Sequence, residues 1–167
     1  MTLTNEFIEQ KLEGKFADQV SNFILHYDIL TFETPVENNL KVLTFLQDDA
    51  ELGFTYLNDL TAVHYPDRIG EELAVVYMLQ NIKTSTRIRL KVFTPIIKPD
   101  VFTASNLFLT ANWLEREAYD FFGVNFVGHP NLIRIMNVDE MDYFPLRKEY
   151  PLEEQTRIDK DDDMFGR

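Results

Sequence analysis

The segment from Glu72 to Pro95 constrains the fold most, because it predicts a β-hairpin. ELAVVYMLQN and RIRLKVFTP are rich in β-branched and aromatic residues, and the turn-like KTST lies between them. In the second run, Arg87, Arg89 and Lys91 alternate with apolar residues. Successive side chains of a strand point to opposite faces, so one face of this hairpin is apolar and the other is basic. The basic face is either solvated, which is the simpler interpretation, or meets an acidic partner.

The N-terminal third predicts a helix followed by a strand. Thr4 is placed to cap a helix that ends between Gly14 and Asp18. Its apolar positions recur every four residues, at Ile8, Leu12 and Phe16. Residues 23–34, FILHYDILTFET, predict one strand that Pro35 closes.

The middle of the chain predicts a second helix and a further extended segment. Asn38 or Asn39 opens the helix, which runs up to Gly53. Its buried stripe consists of Leu40, Leu43 and Leu46. Residues 53–66, GFTYLNDLTAVHYP, are predicted to be extended.

The pattern after Pro99 predicts short helical pieces and then a longer helix. That helix begins at Thr110 or Asn112 and ends at Phe122, with Gly123 as its stop. The remaining residues have little periodicity and contain Pro130, Pro145 and Pro151, which predicts an extended path over a surface. We therefore expect a single α+β domain with a mixed or antiparallel sheet packed by helices, followed by an extended C-terminal segment.

Composition excludes several classes of function. The chain has no cysteine, so it contains no disulfide, no thiolate nucleophile and no cysteine-ligated iron–sulfur cluster. Its net charge of -12 repels phosphate backbones and anionic lipids, which makes nucleic acid an unexpected partner. The N-terminus lacks the apolar core of a secretory signal, and the longest purely apolar run, at 73–79, is too short to span a bilayer.

The stretch LEREAYDFFG, residues 114–123, concentrates the charged groups that a functional site would need. On a helical wheel Trp113, Arg116 and Asp120 fall on one side, and Glu117 lies at the border. The opposite, apolar side consists of Leu114, Ala118, Phe121 and Phe122. Glu115 and Glu117 are about 200 degrees apart, so they cannot chelate one ion or flank one bond.

Two chemical interpretations of this helix remain open from the residues alone. Glu117, Asp120 and His129 form a set compatible with a metal ion, although no second histidine lies nearby. Alternatively, Arg116 and Asp120 are spaced for a local ion pair.

Other catalytic patterns are missing, and the composition after residue 110 favours a docking surface. No Gly-x-Ser-x-Gly motif, Gly-x-Gly-x-x-Gly motif or Walker loop is present, and His26 lies within an apolar strand. FPLRKEYPL instead places Arg147 and Lys148 between aromatic residues, a composition typical of protein–protein contacts.

The residues ANWLEREAYDFFGVNFVGHPNLIRIM, followed by PLRKEYPL, resemble the family of the 30 kDa subunit of respiratory complex I, the NADH-quinone oxidoreductase. The residues that match the signature of that family in register are Glu115, Arg116, Glu117, Asp120, Phe121, Phe122 and His129. The resemblance covers residues 20–152. It departs from the usual pattern at His64, Ile133 and Glu149, none of which belongs to the Glu-Arg-Glu core.

The resemblance implies a non-catalytic assembly subunit in the peripheral arm of complex I, which couples NADH oxidation by quinone to ion translocation. The domain then covers 1–152. The acidic tail over 153–167 is expected to be disordered in isolation and to order on a neighbour through Met164 and Phe165, and a permanently solvated tail is the alternative. The resemblance also implies that FMN, iron–sulfur clusters and quinone are held by partner subunits. The main partner is then the large 49 kDa-type subunit of the quinone pocket, and the location is the cytoplasmic side of the bacterial inner membrane, which the chain meets only through the complex.

If the resemblance holds, the residues of the subunit interface and signature are Trp113, Glu115, Arg116, Glu117, Asp120, Phe121, Phe122, His129, Arg147 and Lys148. We expect the apolar side of the helix to pack in its own domain. The other side should meet a sister subunit or the C-terminal tail, and it consists of Trp113, Arg116, Glu117 and Asp120. Two alternatives remain: an equivalent subunit of a membrane-bound hydrogenase, and a small metal-dependent hydrolase that uses Glu117, Asp120 and His129.

Overall fold

The computed structural model describes residues 3–150, which form three α-helices and seven β-strands. In chain order these elements are α1 (Asn5–Phe16), β1 (Ser21–His26), β2 (Ile29–Pro35), α2 (Asn39–Asp48), β3 (Tyr56–His64), β4 (Leu73–Asn81), β5 (Thr86–Thr94), β6 (Asp100–Phe102), α3 (Ala111–Phe122) and β7 (Asn125–Val127). The expected α+β domain with a mixed sheet is confirmed.

Five strands form the main sheet in the order β1-β2-β5-β4-β3. The predicted hairpin is its centre: β4 and β5 pair antiparallel from Leu73 opposite Thr94 to Asn81 opposite Thr86. Strand β2 pairs parallel with β5, and the other neighbours are antiparallel. The alternation along β5 is confirmed, because its apolar residues are buried while the intervening Arg87, Arg89 and Lys91 are not.

One hydrophobic core joins the sheet to the helices. The buried apolar residues of α1, α2 and α3 lie in the same cluster as one face of β2, β3, β4 and β5. Thr4 caps α1 as predicted by accepting a hydrogen bond from Phe7 N at 3.3 Å. The predicted second helix begins at Asn39 but ends at Asp48, and Leu40 is only half-buried, whereas Val42 is buried.

The prediction of one strand over residues 23–34 is wrong, because the chain turns sharply at Tyr27 and Asp28. Both residues have positive φ, at 50° and 60°, which is the geometry of a two-residue turn between antiparallel strands. Glycine or asparagine commonly provides this geometry, and neither is present here. The segment is therefore the hairpin β1-β2, which places β1 at the edge of the sheet.

The short helical pieces predicted after Pro99 are also not found. Residues Asp100–Phe102 form β6, which pairs parallel with β7, the strand that follows α3 in the chain. This pairing joins residues 25 positions apart, such as Asp100 and Asn125, and local patterns cannot report it. The two short strands, one before and one after α3 in the chain, form a separate two-stranded sheet.

The residues that follow β7 lie over the surface of the domain without regular secondary structure, up to residue 150. The extended path predicted from the prolines is confirmed over this range. The acidic tail predicted at 153–167, with Met164 and Phe165, lies outside the described residues. None of the helices formed by residues 3–150 has the length and apolar character that crossing a membrane requires.

Candidate functional site: a charged helix held by the C-terminal segment

Helix α3 places several of its charged side chains inside the molecule. Glu115, Arg116 and Asp120 are buried, whereas Glu117 and Trp113 are exposed. The helix ends where Gly123 adopts a left-handed conformation with φ 75°, as the sequence predicts. A buried charged group is costly unless it is paired or hydrogen-bonded, so the partners of these side chains determine what the helix does.

The predicted packing of α3 is confirmed in part. Ala118 is buried as expected, and Leu114 and Phe122 are half-buried but pack against the core, while Phe121 is half-buried. The residues that follow β7 fold back over the second side of the helix. Charged groups on that side are therefore covered by the chain's own backbone, which a helical wheel does not take into account.

Glu115 ties α3 to the loop that follows β6. Its carboxylate accepts a hydrogen bond from Thr103 Oγ1 at 2.5 Å and one from the backbone N–H of Ala104 at 2.6 Å. Burial raises the pKa of the Glu115 carboxyl from its ordinary 4.5 to about 7, although these hydrogen bonds act in the opposite direction. Thr103 Oγ1 also lies within hydrogen-bond distance of Ser105 Oγ and accepts a hydrogen bond from the backbone N–H of Ser105. The hydroxyl that donates to Glu115 is therefore itself held in place by the protein.

His129 packs beside Glu115 but does not hold it directly. Its Nε2 lies 4.0 Å from Glu115 Oε2 and 3.0 Å from the backbone carbonyl of Asn112. The other ring nitrogen, Nδ1, accepts a hydrogen bond from the N–H of Asn131 at 3.0 Å. Because Nδ1 is an acceptor, Nε2–H donates to Asn112, which corresponds to the neutral ring. His129 thus fastens the turn after β7 to the first turn of α3.

The raised pKa of Glu115 gives a prediction about stability and pH. A carboxyl with a higher pKa in the folded than in the unfolded state favours folding below pH 4.5 and loses that advantage as the pH rises to about 7. We expect the free energy of unfolding to fall over this window by up to about 3 kcal/mol on account of Glu115. Urea unfolding from about pH 4.5 to 7.5 should show that Glu115→Gln loses this slope relative to the wild type.

The matched control is Glu117→Gln, which removes an exposed carboxyl from the same helix. It should keep the slope of the wild type, because the buried Glu115 carboxyl is still in place. An unchanged slope in Glu115→Gln would contradict the assignment of the titration to this buried carboxyl.

Asp120 is held more tightly than any other acidic group on α3. Its Oδ2 accepts three consecutive backbone N–H groups, from Ile135 at 3.1 Å, Met136 at 2.7 Å and Asn137 at 3.0 Å. The Oδ1 atom accepts from Asn137 Nδ2 at 3.0 Å and from Arg134 Nη1 at 2.7 Å. Three successive N–H groups around one oxygen form a backbone nest of the kind that binds anions.

We call Asp120, Arg134 and the backbone of 135–137 the carboxylate clamp. Burial alone would raise the pKa of Asp120, but the hydrogen bonds that it accepts outweigh burial and hold the pKa of this carboxyl well below its usual range. The Asp120 side chain is fully buried and that of Arg134 is almost so. The clamp therefore joins α3 to the C-terminal segment through a charged pair that is shielded from water.

Arg134 is the functional residue that the sequence-based reasoning missed. Besides the carboxylate of Asp120 it donates to the carbonyls of Asp120 (2.9 Å), Met141 (2.8 Å) and Tyr143 (3.1 Å), and its guanidinium lies over the Phe144 ring. One signal was present in the sequence, because Arg134 is the sole arginine or lysine between Arg116 and Arg147. The predicted local pair of Arg116 with Asp120 does not form among residues 3–150, and Arg134 takes that place.

The last carbonyl groups of α3 are also satisfied by the C-terminal segment. Phe121 O accepts from the N–H of Leu146 at 3.1 Å, and Phe122 O accepts from Arg147 Nε at 2.7 Å. The Arg147 guanidinium lies 4.6 Å from the centroid of the Phe144 ring. Carbonyls at a helix C-terminus lack partners within the helix and favour positive charge, so Arg147 acts as a cap.

Close packing at this end gives a prediction for Gly123. A Cβ there would come within 2.6 Å of Arg147 Nη2 and would overlap the Phe144 ring. Gly123→Ala should therefore lower the free energy of unfolding by about 2 to 4 kcal/mol, through left-handed strain and overpacking. Chemical denaturation of the purified variant measures this loss.

Substitutions at two other glycines separate the effect of backbone strain from the effect of overpacking. Gly70 has φ 84° but open space around it, so Gly70→Ala should show only the backbone cost of about 1 kcal/mol. Gly14 lies in α1 with open space, and Gly14→Ala should stabilise by about 0.5 to 1 kcal/mol. Equal losses in Gly123→Ala and Gly70→Ala would show that the C-terminal segment does not press on the helix end.

Two further residues of the predicted interface, Arg116 and Lys148, contact the protein in different ways, one through its side chain and the other through its backbone. Arg116 donates to the carbonyls of Ile133 (3.2 Å) and Arg134 (3.4 Å), and its guanidinium lies 5.0 Å from the centre of the Trp113 ring. The side chain of Lys148 is exposed, but its backbone N–H donates to His64 Nδ1 at 3.0 Å. His64, one of the positions that depart from the signature, thus fixes the end of the segment to β3.

The structure does not bring Glu117, Asp120 and His129 together as a metal site. Glu117 is exposed, both oxygens of Asp120 are engaged in the clamp, and His129 lies beside Glu115. Among residues 3–150, no three or more His, Asp or Glu side chains are grouped in a way that would hold a metal ion. The buried carboxylates of α3 are instead used to hold the C-terminal segment and the loop after β6.

Comparison with known families gives a match over most of the chain. The model of the family described as respiratory-chain NADH dehydrogenase, 30 Kd subunit, matches residues 32–156. The C subunit of the NADH-quinone oxidoreductase of Mycolicibacterium gilvum is 39% identical over 140 residues, which cover 84% of this chain and 62% of that protein. The C subunit of a Nocardioides species is 40% identical over 129 residues, 77% of this chain and 52% of that protein. The chain spans about six tenths of the length of the curated relatives that it matches.

Two solved structures are similar in fold. A trypsin-resistant fragment of Nqo5 is 31% identical, with a TM-score of 0.63 over 75% of this chain and 98% of that chain. A chain of the membrane-bound sulfane sulfur reductase, an archaeal respiratory membrane complex, is 25% identical, with a TM-score of 0.75 over 95% of this chain and 96% of that chain.

Proposed function

The chain belongs to the family of the 30 kDa subunit of the respiratory-chain NADH dehydrogenase, and from this premise we propose that it is a structural subunit of the peripheral arm of an NADH-quinone oxidoreductase. The complex oxidises NADH with quinone and couples this reaction to ion translocation. Within it, this chain contributes assembly and rigidity rather than a reaction centre.

The observation that carries this proposal is the apolar surface formed by α3 and the segment that covers it. Its exposed members, which we call the C-terminal surface, are Trp113, Ile133, Met136, Val138 and Leu146. Trp113, Met136 and Val138 are each more than 60% exposed. Exposed apolar groups concentrated on neighbouring elements favour a protein–protein contact, and the clamp holds the backbone at 135–137 in place before a partner arrives.

Chemistry in this chain is disfavoured by how its acidic groups are used. Both oxygens of Glu115 and both oxygens of Asp120 already accept hydrogen bonds from the protein. The chain also has no cysteine with which to ligate an iron–sulfur cluster. We therefore propose that FMN, the clusters and quinone are bound by other subunits and that this chain is non-catalytic.

The proposed main partner is the large 49 kDa-type subunit that helps to form the quinone pocket. The family supports partnership with other subunits of this kind of complex. The location that follows is the cytoplasmic side of the bacterial inner membrane, where the chain is peripheral and is retained through its partners.

A second candidate is an equivalent subunit in a related membrane-bound complex, such as a membrane-bound hydrogenase. The likeness to a chain of the archaeal sulfane sulfur reductase, which extends over 95% of this chain, favours it. The two candidates share the scaffold role and differ in the electron donor of the assembly.

Native mass spectrometry of the protein purified from its own membranes tests the proposal. We expect it to leave the membrane with a set of subunits that includes a flavin-containing NADH-oxidising subunit and a 49 kDa-type subunit. A hydrogenase-type large subunit in place of the NADH-oxidising one would support the second candidate. Recovery of the chain alone, or NADH oxidation by the lone chain, would contradict both.

A further inference from the structure

The outward face of the main sheet carries a line of positive charge. All three helices contribute to the core on the opposite face, so Arg87, Arg89 and Lys91 of β5 point away from the core. We call these three residues the basic stripe. Arg87 is exposed and the other two are half-buried. The chain as a whole has a net charge of -12, whereas this part of its surface carries three positive charges at alternate positions of one central strand.

The basic stripe has no carboxylate partner among residues 3–150. Within that range, none of its three side chains lies within 4.0 Å of a carboxylate oxygen. Arg87 Nε is 3.4 Å from an amide oxygen of Gln80, and Arg89 Nε is 3.3 Å from the sulfur of Met78. The two arginines therefore contact uncharged side chains of β4.

The carboxylate that lies opposite the stripe in the sheet is already engaged. Glu33 lies opposite Lys91 in the parallel pair β2-β5. Its carboxylate accepts a hydrogen bond from Asn22 at 2.7 Å and lies 3.6 Å from Arg68. Lys91 Nζ instead lies 5.9 Å from the centre of the Tyr65 ring.

The spacing of the stripe specifies the shape of a ligand. Alternate residues on a strand repeat every ~6.8 Å, and so do alternate residues of an extended peptide laid along it. Three carboxylates at alternate positions of such a peptide would each meet one cation without distortion of either chain. Bidentate arginine–carboxylate contacts are the strongest of these interactions, and two of the three cations are arginines.

We propose that the basic stripe binds an extended acidic segment of a partner protein, with carboxylates at alternate positions. The inference rests on the proposed function in that the partner is a further part of the same complex. At physiological ionic strength charges more than ~8 Å apart are largely screened, so the acidity of the rest of this chain does not prevent contact at the stripe.

A labelled heptapeptide of sequence TETETET, mixed with the full-length chain, tests the proposal by fluorescence polarisation. We expect saturable binding that weakens at least about tenfold in the variant Arg87→Glu, Arg89→Glu, Lys91→Glu and also weakens as salt rises from about 50 to 300 mM. Circular dichroism and the midpoint of urea unfolding should match the wild type, because none of these side chains is fully buried.

The control variant Lys15→Glu, Lys41→Glu, Lys83→Glu changes the net charge equally at exposed lysines outside the stripe. It should retain most of the binding, and an equal loss would overturn the proposal by showing that only net charge matters. Tighter binding of single-stranded DNA than of the peptide would overturn it as well. The third contradicting result is a roughly tenfold gain in affinity for the peptide in the variant Asp161→Asn, Asp162→Asn, Asp163→Asn. It would show that the chain's own tail occupies the basic stripe.

Purification of the complex separates this inference from the proposed function. Reversal of the stripe should lower the amount of chain that stays with its partner subunits, most strongly at high salt. If the reversed variant is retained as well as the wild type, the inference fails while the proposed function stands. If the wild-type chain does not purify with partner subunits at all, the proposed function itself fails.

Discussion

Asp120→Asn is expected to lower the free energy of unfolding by about 4 kcal/mol, because it removes a buried charge whose partners stay buried. Asparagine would place an amide nitrogen against either the three N–H groups of 135–137 or the Arg134 guanidinium. Urea unfolding measures the loss. Limited proteolysis should show faster cleavage within 128–150, since the clamp no longer holds this segment on α3.

The pH dependence of the same variant provides a separate check. The pKa of Asp120 is depressed in the folded state, so its contribution to stability is present above the ordinary value of 3.8 and is lost as the pH falls below it. The difference between wild type and Asp120→Asn should therefore shrink in acid. Asp139→Asn, at an exposed position of the same segment, is the matched control and should change stability by less than about 0.5 kcal/mol. A loss below about 1 kcal/mol in Asp120→Asn would show that the clamp does not hold the segment.

Met136→Glu is expected to reduce incorporation of the chain into its complex at least about tenfold while leaving the stability of the free chain nearly unchanged. The Met136 side chain is 68% exposed, and only its backbone N–H belongs to the clamp. A carboxylate buried at an apolar contact without a partner costs several kcal/mol of binding free energy. The ratio of this chain to its partner subunits after purification measures the loss.

The control for Met136→Glu is Ile69→Glu, at an apolar side chain that is 94% exposed in the loop between β3 and β4. It introduces the same charge at an exposed site outside the C-terminal surface and should leave incorporation at the level of the wild type. Equal incorporation of both variants would place the contact elsewhere on the molecule.

Local rules predicted the elements whose causes are local. The hairpin β4-β5 follows from alternation along the chain, and the stop of α3 at Gly123 follows from the left-handed conformation that glycine adopts readily. The β1-β2 turn was missed because Tyr27 and Asp28 adopt positive φ without a glycine to signal it. The pair β6-β7 was missed because its two strands are separated in the chain by the whole of α3.

The sequence indicated which helix carries the buried charges but not how those charges are arranged. The density of charge at 114–123 marks that helix. A wheel, however, counts Asp120 as a surface residue, and it cannot show that 129–147 returns to cover that helix. Spacing along a helix also favoured a pair of Arg116 with Asp120. Asp120 pairs instead with Arg134, which is more distant along the chain. This pair forms because the three N–H groups beside Arg134 surround the same carboxylate.

Amide hydrogen exchange of the chain, free and within its purified complex, tests most directly whether α3 and the C-terminal surface dock on a partner. We predict strong additional protection of 131–147 and of the first turn of α3 in the complex, with little change in the β1-β2 turn. Unchanged exchange over 131–147 on assembly would contradict docking through this surface.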